Sequence, residues 1–501
     1  MNEHEKRLLE SLLAFKEERL SGGEAFSSEC KEYEGFYLGD QWKGEEQGGA
    51  KPVFNLIKRI CDYVISTLAS KEFSLAYTSD GAPLHIRKNE SFIRAIETLT
   101  RHVSYKYDKE ALERLIFSLV RDAVIYGTGV LYTRWDTSVP ASDGFFGDAV
   151  TEVIEPYRIF PADMCEPDVE KQSRFLIKGK SSVTALSGEA LLHGREVRKK
   201  LLEANGGEEE AQFTLMLYRD EKTRSICFAK ECAGILISYG DSGLSRYPIA
   251  TFSPIPVRGS FFGRSYVKGI IPNQKYVNTS YAMLMKHMQD TAFSKVIYDK
   301  SRIPEWTSEP GIAIGAHGGG NLSDCVSVVG CGKLEDGYLE LTKEIAEKTK
   351  ELYGATETAL GNVEPTNTSA IMAVKEAAEG QLRGCVILLV AALESQAKIW
   401  ADVVCTYYGD GRKVGVSGKE EEHIALSLLR THLPSCKISV NDRSRFGSSV
   451  ALDVLNKLLE QKAISPSEYI KRLPDGIIED KDSLIKNAQD IEKNIPHEQN
   501  A

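Results

Sequence analysis

The sequence predicts an α+β protein, with long helices at both ends and a β-rich middle. Three observations predict it. Apolar residues recur at helical spacing before Gly127 and again after Pro272; β-branched and aromatic runs punctuated by turn residues fill 128–256; and one proline-free stretch, 370–408, is longer than an ordinary globular helix. At 501 residues the chain has ample length to bury a large core or several small ones.

The elements follow in order. Leu8, Leu9, Leu12, Leu13 and Phe15 form a first helical stripe, Gly22 and Gly23 should break it, and Tyr33, Phe36 and Tyr37 form a second that ends at Gly39. After a Gly-rich linker, Asn55 is a suitable N-cap for a helix bearing Leu56, Ile57, Ile60, Val64, Ile65 and Leu68. A strand at 73–78 and helices at 86–105 and 109–126 come next, the last closed by Gly127. Strand chemistry then appears at 129–135, 150–154, 175–178, 213–218, 225–229 and 249–254, with a helical interruption at 184–205 ending in Gly206-Gly207. From Asn273 as cap to about Ile297 the pattern is helical, and Lys275 and Lys286, eleven residues apart, fall within about 20° of one face, with Lys295 opposite.

Residues 301–333 contain Pro304, Pro310 and several glycines, and should form a small β-rich insertion. An amphipathic helix follows at 341–353, ending at Gly354, and residues 354–369 form a polar loop without lysine or arginine. From Ala370 to Tyr408 a single helix of roughly 55–60 Å is expected, bending at Gly380 and Gly384. Its apolar run from Cys385 to Leu393 falls far short of the ~20 residues a bilayer requires, so protein should bury it, either in the core of one large chain or between copies. The last segment, 409–501, is a charged tail with a strand at 437–440 and helices near 450–461 and 467–473.

Net charge is −10 with a pI near 5.6, which argues against a protein that grips nucleic acid over its whole surface. Between Arg264 and Lys300, six basic residues against Asp290 and Asp299 give a local +4, fitting either a solvated helix face or a basic lining. Ten scattered cysteines and an amino terminus without a signal-like segment fit synthesis in a reducing cytoplasm.

No nucleotide loop, His-Glu-x-x-His, Gly-x-Ser-x-Gly or Gly-x-Gly-x-x-Gly occurs. Gly332-Lys333 lacks the partners a phosphate loop needs, and His317, Cys325 and Cys331, like Cys227 and Cys232, lack metal-ligand spacing. The acidic turn Asp163, Glu166, Asp168 and Glu170 is the nearest approach to a catalytic cluster. No cofactor or metal is expected.

Several segments in order resemble the portal proteins of tailed bacteriophages. These are Phe36-Tyr37-Leu38-Gly39-Asp40-Gln41-Trp42 with Val53-Phe54-Asn55; Asp122 to Gly129 with the strand to Trp135; Glu155-Pro156-Tyr157-Arg158-Ile159-Phe160-Pro161; Gly263-Arg264-Ser265 leading to Val277-Asn278; and Thr368-Ser369-Ala370 at the entry to the long helix. The resemblance implies a ring, usually of twelve copies, at one capsid vertex, through which double-stranded DNA passes during packaging and ejection. It further implies a wing (1–262), a first stem helix (263–300), a clip (301–340), a second stem helix (341–353), a tunnel loop (354–369), a long helix (370–408) and a carboxy-terminal wing return or crown with a tail (409–501). The DNA channel would then be lined by Lys275, Lys286, Asn362, Thr366, Asn367 and Thr368, the loop acting through hydrogen bonds and sterics because it lacks basic residues. Glu305, Trp306, His317 and Asn321 in the clip would meet the packaging motor, that is the terminase large subunit, and later the head-completion or adaptor proteins; capsid and scaffolding proteins are further implied partners. Such a protein is not an enzyme and lies in no membrane; it is made in the host cytoplasm and resides at the portal vertex of the virion. Two other functions fit the sequence less well: a cytoplasmic hydrolase or transferase using Asp163 and Asp168, and a non-portal capsid or scaffold component.

Overall fold

The computed structural model describes residues 3–42, 50–109, 112–140, 145–292, 295–307, 314–329, 336–355, 380–409, 412–416, 419–442, 452, 455–461, 463–473 and 484–485. The fold is α+β. The chain divides into a larger unit, Met1–Ala69 with Tyr77–Cys436, and a smaller one, Ser70–Ala76 with Lys437–Ala501.

In the larger unit, α1 (Glu3–Leu38) runs unbroken for 36 residues through Gly22 and Gly23, where a break was expected. Gly23 is there for contact: a Cβ at this position would lie 2.5 Å from the Phe160 ring. Leu12 and Phe15 of the same helix are buried against Phe160, Leu176 and Met216, and each such side chain contributes about 1.5–3 kcal/mol. α2 (Leu56–Ala69) is capped as expected, Asn55 Oδ1 accepting the Lys58 N–H at 2.9 Å. The helix expected at 86–105 is split into a single helical turn, Leu84–Arg87, and α3 (Glu90–Lys109); then comes α4 (Leu112–Tyr126). Gly127 closes α4 with φ +100°, a conformation suited to glycine alone.

Strands β2 (Gly129–Pro140), β3 (Phe146–Ile154) and β9 (Ile249–Phe252) make an antiparallel sheet in the order β3-β2-β9. Strands β4 (Ile159–Pro161), β5 (Arg174–Ser182), β6 (Glu210–Arg219), β7 (Ile226–Cys232) and β8 (Ile235–Asp241) form a five-stranded antiparallel meander. The helical interruption is two helices, α5 (Val183–Leu192) and α6 (Arg195–Ala204), divided at Gly194. Strand β8 was not foreseen. Ala233 and Gly234, both with positive φ, join it to β7, but the pair lacks the Asn-Gly or Asp-Gly signature that announces such a hairpin.

Helix α7 (Tyr266–Ala292) starts well before the expected cap Asn273 and holds Pro272 inside it. It stops before Lys295, which opens strand β10 (Lys295–Tyr298), paired antiparallel with β11 (Val326–Val329). The helix expected to reach Ile297 is therefore shorter, and Lys295 is not on its far face. The run Lys295-Val296-Ile297-Tyr298 has strand chemistry that outweighs a continued helical period. Helix α8 (Asp336–Leu352) begins five residues earlier than expected and ends before Gly354, φ +72°.

Helix α9 (Arg383–Tyr407) follows turn residues at 381–382, so the helical run is interrupted between the two glycines named as bending points. Residues 370–379 lie outside the described residues. By length and hydropathy α9 could cross a membrane, yet half of its apolar window is buried in the protein, as befits a core helix. Beyond it, β12 (Lys413–Val416), β13 (Lys419–His423) and α10 (Leu426–Thr431) occupy part of the expected tail. Arg430 closes the end of α9 by donating to the carbonyls of Cys405 (2.7 Å) and Tyr408 (2.8 Å).

In the smaller unit, β1 (Lys71–Thr78) pairs with β14 (Ser435–Asp442), with the Ser74 and Ser439 hydroxyls 2.9 Å apart. Ser465 caps α11 (Pro466–Arg472), its hydroxyl accepting the Glu468 N–H.

Candidate functional site

Helices α7 and α8 lie antiparallel. Tyr266 meets Tyr353 with ring centroids 5.7 Å apart, Asn273 donates to Thr349 Oγ1 at 2.9 Å, and further along Tyr338 OH donates to Ser280 Oγ at 3.4 Å. Small residues permit the approach: a Cβ on Gly269 would collide with the Tyr353 hydroxyl. Thr342 and Thr349 are buried in the seam and return their hydroxyls to the carbonyls of Tyr338 and Ile345.

The amino-terminal half of α7 is fixed by amides. Gln274 Oε1 accepts the N–H groups of Leu56 (2.8 Å) and Ile57 (3.3 Å), while its Nε2 donates to Phe54 O at 2.8 Å. Asn278 Nδ2 donates to Gln41 Oε1 at 2.6 Å, and its Oδ1 accepts the Phe54 N–H at 3.3 Å. Gln274 and Asn278 are buried, so these bonds satisfy groups that water cannot reach. Trp42 Nε1 donates to Pro52 O at 3.0 Å. Segments that the sequence separates, 41–42, 53–57 and 274–278, thus meet at one place.

A second convergence joins Asp122–Gly129, Gly263-Arg264-Ser265 and the turn at Tyr157. Gly127 packs on the Gly263 carbonyl, Ser265 Oγ donates to Ile125 O at 2.5 Å, Gly263 N donates to Thr128 Oγ1 at 2.8 Å, and Tyr126 stands edge-on to Tyr157. A cleft of about 680 Å³ opens beside it, lined by Glu34, Arg121, Asp122 and Glu155. Burial pushes the Asp122 carboxyl up to about 6, against the pull of Arg121 and with the help of Glu155.

Of the expected channel residues, Lys275 and Lys286 share one face of α7 and are exposed, about 16 Å apart along the axis. Lys275 leans toward α1, its ammonium 5.3 Å from the Phe36 ring centroid. Asn362, Thr366, Asn367 and Thr368 lie outside the described residues. The expected docking residues sit around the β10–β11 ribbon: Glu305, His317 and Asn321 are exposed, and half-buried Trp306 stacks on Tyr298 at 5.2 Å. The His317 N–H donates to Arg302 O at 2.8 Å, and Asn321 O accepts the Asp324 N–H at 3.3 Å.

Apolar side chains stay uncovered here. Met283 is 56% and Met288 61% exposed on α7, Leu352 76% on α8, and Ile297 62% and Val328 60% on the ribbon. Ile387, in the first half of α9, is likewise exposed, whereas from Gln396 to Cys405 that helix is almost wholly buried, Trp400 Nε1 donating to Thr151 Oγ1.

The acidic turn is built from backbone caps. Asp163 accepts the Cys165 N–H, Glu166 the Asp168 N–H and Asp168 the Glu170 N–H, while Glu170 pairs with Arg219. These carboxylates hold a loop together, with no shared point between them for a reacting atom. Among the described residues no group of three His, Cys, Asp or Glu side chains could hold a metal, and the described cysteines are free thiols.

The buried Gln41, Gln274 and Asn278 escaped sequence reasoning as a unit. Their signal was amides on the otherwise apolar side of a helix. No family model and no curated protein matches the chain.

Proposed function

We propose that this chain is the subunit of a portal-type ring at a capsid vertex, a passive channel for packaging and ejecting double-stranded DNA. The observation that supports it best is the uncovered apolar surface of α7, α8 and the β10–β11 ribbon. A two-stranded ribbon with exposed Ile297 and Val328 is marginal alone in water, and Met283 and Met288 add exposed apolar area on the helix that leads into it. Neighbouring copies around an axis would cover it without a new element. In this reading α7 and α8 are the stem, and the ribbon with Glu305, Trp306, His317 and Asn321 is the docking tip for the terminase large subunit and for head-completion proteins. Capsid and scaffolding proteins would surround the wing.

Images of the purified full-length protein should show rings with a central hole, the particle count giving the subunit number. A strictly monomeric species at micromolar concentration across several salt concentrations overturns the proposal. Within the ring reading, Lys275→Glu with Lys286→Glu should impair packaging while rings persist, because like charge on the bore repels phosphate. Packaging at the parent level would move these lysines off the bore. The hydrolase or transferase reading finds no support in the acidic turn, whose carboxylates are engaged with its own backbone.

A further inference from the structure

Between α1 and the five-stranded sheet lies an open cleft of about 640 Å³ with a basic rim, in a chain whose net charge is −10. Two sequence-distant pieces build it. Gly23 lets the Phe160 ring lie against α1 as part of the lining. Strand β5 supplies Lys178 and Lys180, two residues apart and therefore on one face. The same face carries Leu176, which is buried against Leu12 and Phe15 of α1; where that packing stops, the lysines begin. Exposed Lys31 reaches the cleft from α1, and Ser27, Ser28 and Gln212 add neutral donors.

The three ammonium groups are available. Among the described residues, none of Lys31, Lys178 and Lys180 has a carboxylate within ion-pair distance. Glu24 is the acidic residue of the lining, leaving 3 − 1 = +2. Arg158 is already engaged, donating to Glu155 Oε2 and to the Lys178 carbonyl, both at 2.9 Å. Lys178 Nζ hangs 5.1 Å from the Phe160 ring centroid. Burial and then the nearby Lys16 hold this ammonium below its ordinary range, with Glu24 opposing; an arriving anion relieves that strain.

We propose that this cleft binds the phosphodiester backbone of duplex DNA. The lysines are strung along a strand instead of gathered at a point, which suits a linear polyanion better than a single phosphate. At about 3.4 Å per residue, Lys178 and Lys180 stand about 6.8 Å apart, so successive phosphates of one strand lying along β5 can meet one lysine each. All the groups belong to one chain, so the inference does not rest on ring formation.

Fluorescence anisotropy of a labelled short duplex, titrated with the full-length protein over about 50–200 mM salt, tests it. The parent should bind, and Lys178→Gln with Lys180→Gln should weaken binding and flatten the slope of log K against log salt by about 2. Lys31→Gln with Lys180→Gln, both at exposed positions, should do the same while melting like the parent. Lys199→Gln with Lys222→Gln, at exposed positions outside the cleft lining, should leave the slope in place. The proposal is overturned if the parent ignores the duplex at the lowest salt, if this control pair flattens the slope as much as the β5 pair, if Lys275→Gln with Lys286→Gln abolishes binding while the β5 pair does not, or if polyglutamate competes as well as unlabelled DNA.

Discussion

Single residues set opposing pH dependences inside this chain. The Asp122 carboxyl sits near 6 when folded against an ordinary 3.8, so the folded chain holds that proton more tightly than the unfolded one. Its stabilisation is complete below pH 3.8 and is lost as pH rises through 6, on the order of 2–3 kcal/mol. His102 does the reverse. Burial brings its imidazole down to about 4 from 6.5, the Gly415 carbonyl opposing, so stability is complete above pH 6.5 and is lost as pH falls toward 4. The two oppose each other in the parent, and Asp122→Asn removes one of them: its melting temperature relative to the parent should climb between about pH 4 and 6.5, and an unchanged difference would refute the assignment. Nearby, Lys106 Nζ pairs with Asp148 Oδ1 at 2.5 Å, donates to Ala149 O and lies 4.1 Å from the Trp400 ring centroid. Burial raises the Asp148 carboxyl, but Lys106, the Tyr408 hydroxyl and the Ala149 N–H together outweigh it and the net shift is downward. Lys106→Met should cost about 3–5 kcal/mol by stranding that carboxylate, and adding Asp148→Asn should recover most of it in a denaturant titration.

At the scale of elements, the pinning of α7 to the start of α2 is the most exposed to test. Gln274→Leu leaves the Ile57 N–H without a partner and the Leu56 N–H and Phe54 carbonyl with only each other, and should lower stability by about 1–3 kcal/mol, the cost of an unsatisfied buried group. A loss under about 0.5 kcal/mol would mean that water takes the place of the amide. Helix ends were the most legible feature of the sequence, because caps are local chemistry: Asn55, Gly39, Gly127 and Gly354 stand where their backbone geometry demands. The errors came where distant packing decides. Gly22-Gly23 looked like a break, and the Phe160 ring that needs Gly23 lies far along the chain. The Ala233-Gly234 turn has the dihedral angles of a tight hairpin without its usual residues, and Pro272 inside α7 hid the true start of that helix. The basic cleft was illegible for the same reason, Lys31 and Lys178 being brought together only by the seat of α1 on the sheet.

For the whole molecule, the α+β class was legible from periodicity alone, while the oligomer is a matter of what one copy leaves uncovered. Met283→Asp with Leu341→Asp places charge on two exposed positions of the α7–α8 pair. Neither side chain is in the core, so the thermal midpoint of the isolated subunit should move by little, while analytical ultracentrifugation should show the assembled species gone. Assembly at the parent level would mean that another face mediates it. The five hydrogen bonds that tie Gln274 and Asn278 to residues 41–57 have a mechanical consequence. Sliding α7 along its axis by one turn, about 5.4 Å, would unmake all five at once, with no equivalent set of partners offered by the next register. That rod resists creep: thrust applied at its ribbon end travels to the amino-terminal helices as displacement, instead of being dissipated in slippage.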